Sequence, residues 1–193
     1  RAFDAPIPHP NGLQATAEGL WIADERKGWA YLVDYRDGTV LRSFATGAGK
    51  TSGMTYGGGA LWMCSNDLPI EREALPSDTQ HVRIVKTSPH TGESLAESLM
   101  PGGDDCHGIE WTAEGLWLTS VNFQKLLLVD PDDFAVKREI SLPSDRSHGL
   151  ATEGAGIWCV LTNDRMILKL DPHDGTIIER IDVPAEEFEP HGL

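Results

Sequence analysis

Three histidines in this 193-residue sequence stand directly before a glycine, in Cys106-His107-Gly108, Ser147-His148-Gly149 and Pro190-His191-Gly192, at intervals of 41 and 43 residues. Neutral imidazole is a preferred ligand for zinc, copper, iron and nickel, and three imidazoles around one ion leave a position open for an activated water. His107, His148 and His191 are therefore candidate ligands for a divalent metal of unassigned identity. His148 and Glu110 are the candidate catalytic residues. Glu110 lies two residues past Gly108 and would act as a base or orient a ligand, although strand alternation can turn it away from the histidines. Asp104 and Asp105 offer oxygen ligands beside His107. The competing reading is structural: each imidazole satisfies backbone groups where a repeated strand begins.

Residues some forty positions apart meet only if a repeat brings them together, and the chain contains one. Four segments align on a small motif followed by a Trp strand: PNGLQATAEGLWIAD, TSGMTYGGGALWMCSN, CHGIEWTAEGLWLTS and SHGLATEGAGIWCVLTN. The motif glycines Gly12, Gly53, Gly108, Gly149 and Gly192 are spaced by 41, 55, 41 and 43 residues, the size of a propeller blade. Each unit reads as four short strands rich in β-branched residues and separated by turns, which disfavours helix and solenoid alternatives. The turn before the fourth strand recurs as Tyr35-Arg36-Asp37-Gly38, Ser88-Pro89-His90-Thr91-Gly92, Asp130-Pro131-Asp132-Asp133 and Pro172-His173-Asp174-Gly175. Asp and Pro initiate such turns and Gly accepts positive φ.

The expected fold is all-β: a single β-propeller domain over 1–193, with four four-stranded blades at about 8–47, 48–101, 102–143 and 144–184. Residues 185–193 would begin a further blade. The long interval comes from a polar insert, 66–80, expected to lie as a loop over one face. First strands line the channel of a propeller, so Asn11, Ser52, His107, His148 and His191 are expected around one ring near its mouth. Trp21, Trp62, Trp117 and Trp158 share one position on the second strand and read as blade-to-blade packing. The start at Arg1 and the closing PHGL lead to the expectation of a larger propeller, or of one closed by association of copies through open blade edges.

With 30 Asp and Glu against 16 Lys and Arg, the net charge is −14, which argues against nucleic acid or an anionic membrane surface as partner. Cys64, Cys106 and Cys159 lack the CxxC spacing of a zinc or redox site, and Cys64 and Cys159 read as small buried hydrophobes. Gly47-Ala48-Gly49-Lys50-Thr51 is not a phosphate loop, because Phe44 stands where the leading glycine belongs and a strand follows. Nothing in the sequence assigns a compartment.

The (H/N/S)-G-(L/I/M) motif, the Gly-Leu-Trp strand, the D-P-x-x-G turn and a strand ending in Leu-Pro or Val-Pro together resemble the repeats of the virginiamycin B lyase-like propellers. They also resemble the wider group that includes the SMP-30/gluconolactonase proteins. The resemblance covers the whole chain. It implies a lyase site in which a carboxylate beside a second strand and a His on a neighbouring blade act around a bound divalent ion. After the four blade Trp residues, only the first unit has a carboxylate, in Ile22-Ala23-Asp24-Glu25. Peptidyl-amidating lyase propellers are similar in placing His ligands in the channel. The function expected is a metal-dependent lyase or hydrolase of a small molecule at the mouth of the channel. The alternative is a non-catalytic binding propeller whose loops, including 66–80, hold a partner protein.

Overall fold

The computed structural model describes residues 3–76, 78 and 81–193. Three residues of the insert, Ser77, Thr79 and Gln80, lie outside the described set. Sixteen strands run in chain order: β1 Pro10–Ala15, β2 Leu20–Asp24, β3 Trp29–Val33, β4 Val40–Ala45, β5 Thr51–Gly57, β6 Ala60–Ser65, β7 Arg83–Thr87, β8 Ser94–Leu99, β9 Ile109–Thr112, β10 Gly115–Ser120, β11 Lys125–Val129, β12 Val136–Ser141, β13 Ser147–Glu153, β14 Gly156–Leu161, β15 Met166–Leu170 and β16 Ile177–Asp182. They form four antiparallel sheets of four consecutive strands each, the blades of a β-propeller. Among the described residues the one helical element is a short 3-10 turn at Pro101–Gly103, and no helix is long and apolar enough to cross a membrane.

The chain divides into two compact units, Arg1–Leu99 and Met100–Leu193, each holding two blades. In the first, Trp21, Ala23, Ala30 and Leu32 of one sheet pack against Met54, Leu61, Met63 and Val85 of the next. In the second, Trp117, Leu126, Leu128 and Ile140 pack against Leu150, Ile157, Cys159 and Leu168. Trp21 and Trp117 thus do the blade packing expected of them. Trp62 is also buried, and Trp158 is half-buried under Lys169. None of the three cysteines forms a disulfide, and all are buried.

The turns before the fourth strands are closed by the same bond each time. Gly38, Gly92 and Gly175 donate their N–H to the carbonyls of Asp34, Ser88 and Asp171, all with φ near +80°. In the third blade Phe134 takes that left-handed place at φ +59°, so that turn extends one residue beyond the Asp130–Asp133 expected. The described part of the insert folds back within its own unit. Ile70 and Glu71 donate their N–H to the Arg26 carbonyl, and the buried Arg72–Asp78 pair closes at 2.6 Å.

Candidate functional site

The first strands of three blades share an irregularity at the motif. Pairing shifts register between Pro10 and Leu13, between Thr51 and Met54, and between Ser147 and Leu150. Asn11, Ser52 and His148 each sit in such a bulge, which re-aims a side chain away from the regular alternation. The glycine that follows is there for room. A Cβ on Gly108 would run into the His148 carbonyl oxygen, and one on Gly149 would meet the Leu193 nitrogen at 2.5 Å. The first strands of the third and fourth blades and the PHGL segment therefore approach backbone to backbone, and their histidines come together.

His107 precedes β9. Its N–H and that of Gly108 both donate to the hydroxyl of Thr119, at 3.0 and 2.7 Å, and the Thr119 N–H returns a bond to the Gly108 carbonyl. Thr119 is buried on β10, where the other blades carry Ala23, Cys64 and Val160. His191 is placed by the Gly149 N–H donating to its carbonyl at 2.9 Å and by the Thr162 hydroxyl donating to Pro190 O at 2.9 Å. Upstream, Arg165 gathers the carbonyls of Val183, Pro184, Glu187 and Phe188. Residues 190–193 form no strand but occupy the edge of β13 where a further first strand would run.

The His148 ring neighbours both of the others. His107 Nδ1 and His148 Nε2 are 3.1 Å apart, a hydrogen bond. Ring centres are separated by 4.4 Å between His107 and His148 and by 3.8 Å between His148 and His191, with planes inclined by about 60°. His148 is buried, His107 half-buried and His191 exposed. Burial, then the neighbouring His191 and His107, then Arg146, push His148 down to about 3. Burial also lowers His107, against the pull of Asp105 in the other direction. Both rings are neutral at pH 7.

The remaining predicted residues are placed as follows. Glu110 Oε1 accepts hydrogen bonds from the N–H and hydroxyl of Thr152 at 3.2 and 2.9 Å. Gln14 does the same in the first unit, accepting from Thr55 and Tyr56, so this position ties neighbouring first strands. Burial would raise the Asp104 carboxyl, but hydrogen bonds from Ser120, Phe123, Asn122 and the Asp105 N–H bring it below the usual range. Its oxygens are thus spent on the turn after β10. Asn11 and Ser52 belong to the first unit, where Ser52 Oγ accepts from Asn66 at 2.8 Å. Asp24, the carboxylate after a blade Trp, is buried and accepts the Arg26 and Lys27 N–H groups. A cavity of about 340 Å³ opens at the far ends of β9 and β13, lined by Thr112, Glu114, Trp117, Thr152 and His173, with none of the expected site residues.

Two nitrogens bound to one tetrahedral ion lie about 3.3 Å apart, close to the His107–His148 separation of 3.1 Å. Three ligating imidazoles would hold their centres about 5 Å apart, wider than the 4.4 and 3.8 Å here. Among the described residues no group of three or more His, Cys, Asp or Glu is arranged to hold a metal ion. The His107–His148 pair fits a two-nitrogen seat, with the His191 ring beside it.

No protein-family model matches the sequence, and neither does any curated protein. Solved structures do. Glutaminyl cyclase of Myxococcus xanthus superposes with a TM-score of 0.73 at 14% identity, covering 97% of this chain and 81% of that one. Virginiamycin B lyase of Staphylococcus aureus gives 0.63 at 19% identity over 98% of this chain, and a streptogramin B lyase gives 0.61 at 17% over 98%. The chain spans 61% of the length of the Staphylococcus lyase and 74% of the streptogramin B lyase. At these identities the likeness establishes the β-propeller fold, in agreement with the repeat, and the lyases are among the structures the chain resembles.

Proposed function

We propose that the chain acts on a small molecule as a lyase or hydrolase, and that the His107–His148 pair carries the chemistry. The observation behind this reading is the 3.1 Å bond between His107 Nδ1 and His148 Nε2. In two neutral imidazoles joined this way, one ring donates and the other accepts. If His107 donates, its Nε2 is a base and His148 Nδ1 carries a proton; if His148 donates, the roles exchange. Either way the outer nitrogens present one base and one acid, the pair that a proton-removing elimination or an assisted hydrolysis needs. When the base takes a proton, the shared proton shifts along the bond and the other outer nitrogen releases its own, so the couple ends in the opposite arrangement with no net charge.

In the metal-dependent form of this proposal His107 and His148, with His191 beside them, would hold a divalent ion. Such an ion would supply Lewis-acid activation of a bound oxygen. Support by analogy comes from Staphylococcus virginiamycin B lyase, of which a His-to-Ala variant, seen with quinupristin, is described as catalytically inactive. The second reading, a non-catalytic binding propeller, is favoured by Ile70 and Leu75, which stand 52% and 38% exposed on the insert.

The test is turnover of a panel of lactones, esters and cyclic depsipeptides, quinupristin included, with and without added divalent ions. Turnover lost in both His107→Asn and His148→Asn supports the proposal. A panel left untouched by the wild type, or turnover that survives both substitutions, overturns it in favour of the binding reading. Elemental analysis of wild type and His148→Ala decides the metal-dependent form, which requires a stoichiometric ion lost in the variant.

A further inference from the structure

The residue three before each motif glycine pairs with the residue fourteen after it. The pairs are His9 with Arg26, Lys50 with Asp67, Asp105 with Asn122 and Arg146 with Asn163. In the second and fourth blades the first member is a cation in left-handed backbone, Lys50 at φ +42° and Arg146 at φ +52°. Lys50 is neutralised by Asp67 at 2.7 Å. Among the described residues the Arg146 guanidinium meets only the side-chain oxygen of Asn163, at 3.2 Å, while the amide nitrogen of Asn163 is held by Asp145. Every other described arginine bonds a carboxylate or backbone carbonyls: Arg26, Arg36, Arg42, Arg72, Arg83, Arg138 and Arg180 pair with acids, and Arg165 binds main-chain oxygens. One amide in place of a carboxylate thus leaves a guanidinium uncompensated in a chain of net charge −14.

We propose that Arg146 is the anion-recognising residue of the histidine site, and that the substrate class is a small molecule bearing a carboxylate. The proposal rests on the reading of the His107–His148 pair as the reacting centre. The exposed guanidinium keeps Nε and Nη2 without a partner among the described residues, and these two donors form the edge that grips a planar carboxylate through two parallel bonds. Its position, two residues before His148, brings its charge to bear on both His148 and His107. Asp105 also bears on His107, with the opposite sign.

The experiment titrates the full chain with acetate, and with uncharged acetamide, at constant ionic strength. It follows the Arg146 Nε–H and the His148 ring nitrogens by NMR. Wild type should show saturable shifts with acetate and none with acetamide. Asn163→Asp recreates the ion pair that the second blade already tolerates, and it should weaken acetate binding at least about tenfold. Arg146→Gln should do the same at the His148 nitrogens. Equal acetate binding in wild type and both variants, or no saturable binding in wild type, overturns the proposal. Turnover is not read, so the two ideas fail separately: acetate recognition without any turnover spares this inference, and turnover without acetate recognition spares the proton couple.

Discussion

His148 is a buried imidazole, and acid should expose what its burial costs. Its folded value near 3 lies below the ordinary 6.5, so below pH 6.5 the unfolded chain binds a proton that the folded chain refuses. Stability therefore rises with pH: the folded state carries no penalty above about 6.5 and is progressively weakened as pH falls toward 3. Between pH 7 and pH 5 the loss amounts to about 2 kcal/mol from this one group. The groups facing it, His107, His191 and Arg146, all act in the same direction. Carboxylates held low by their partners, such as Asp34, Asp104 and Asp130, weaken the fold only at more acid pH. The assay is urea unfolding at pH 7, 6 and 5, in wild type and His148→Gln. With a slope of about 2 kcal/mol per M, the wild-type midpoint should fall by about 1 M more than that of the variant. Parallel loss in the two proteins would refute the reasoning, because the proton would then be taken up elsewhere.

Gly108→Ala should cost about 3 kcal/mol, since the new methyl group meets the His148 carbonyl, and it should break the His107–His148 bond; urea midpoints and imidazole NMR check the two effects. Trp117→Ala should destabilise by about 3 to 5 kcal/mol, and Trp158→Ala by at least about 1 kcal/mol less because its ring is only half-buried, as read by the same unfolding assay. Association of copies through an outer edge such as β16, where Ile177, Ile178 and Ile181 stand exposed, predicts a mass above 21.1 kDa by light scattering. A single species at the chain mass contradicts it.

The blades were legible because three signals repeat in step: the small residue and glycine, the Trp strand, and the Asp/Pro/Gly turn. Each reports local backbone chemistry, which a sequence carries directly. Phe134 escaped that reading because a left-handed residue other than glycine leaves no compositional mark. The histidines were legible as equivalent positions, and the structure brings His107, His148 and His191 together. Their arrangement was not legible. Whether the rings close round an ion or His107 and His148 bond to one another depends on side-chain torsions and on how tightly Gly108 and Gly149 let the strands approach. Thr119 and Arg165 were missed for another reason. Each acts on the main chain of a distant segment, and a lone threonine or arginine in a strand or turn has no spacing that announces such a role. A comparison of the fourteenth residue after each motif glycine, Asp67 against Asn163, was the one available signal for Arg146.

The central claim is a neutral, hydrogen-bonded His107–His148 couple, and long-range proton–nitrogen NMR of the imidazoles in chelator-treated protein at pH 7 tests it most directly. A bond from Nδ1 of one ring to Nε2 of the other requires both rings to be neutral and in the same tautomer, whichever ring donates, whereas an ion shared by those two nitrogens requires opposite tautomers. The account predicts the same tautomer without metal, and a switch to opposite tautomers on adding zinc if the metal-dependent form holds. An imidazolium at either position, or opposite tautomers in the metal-free protein, would contradict it.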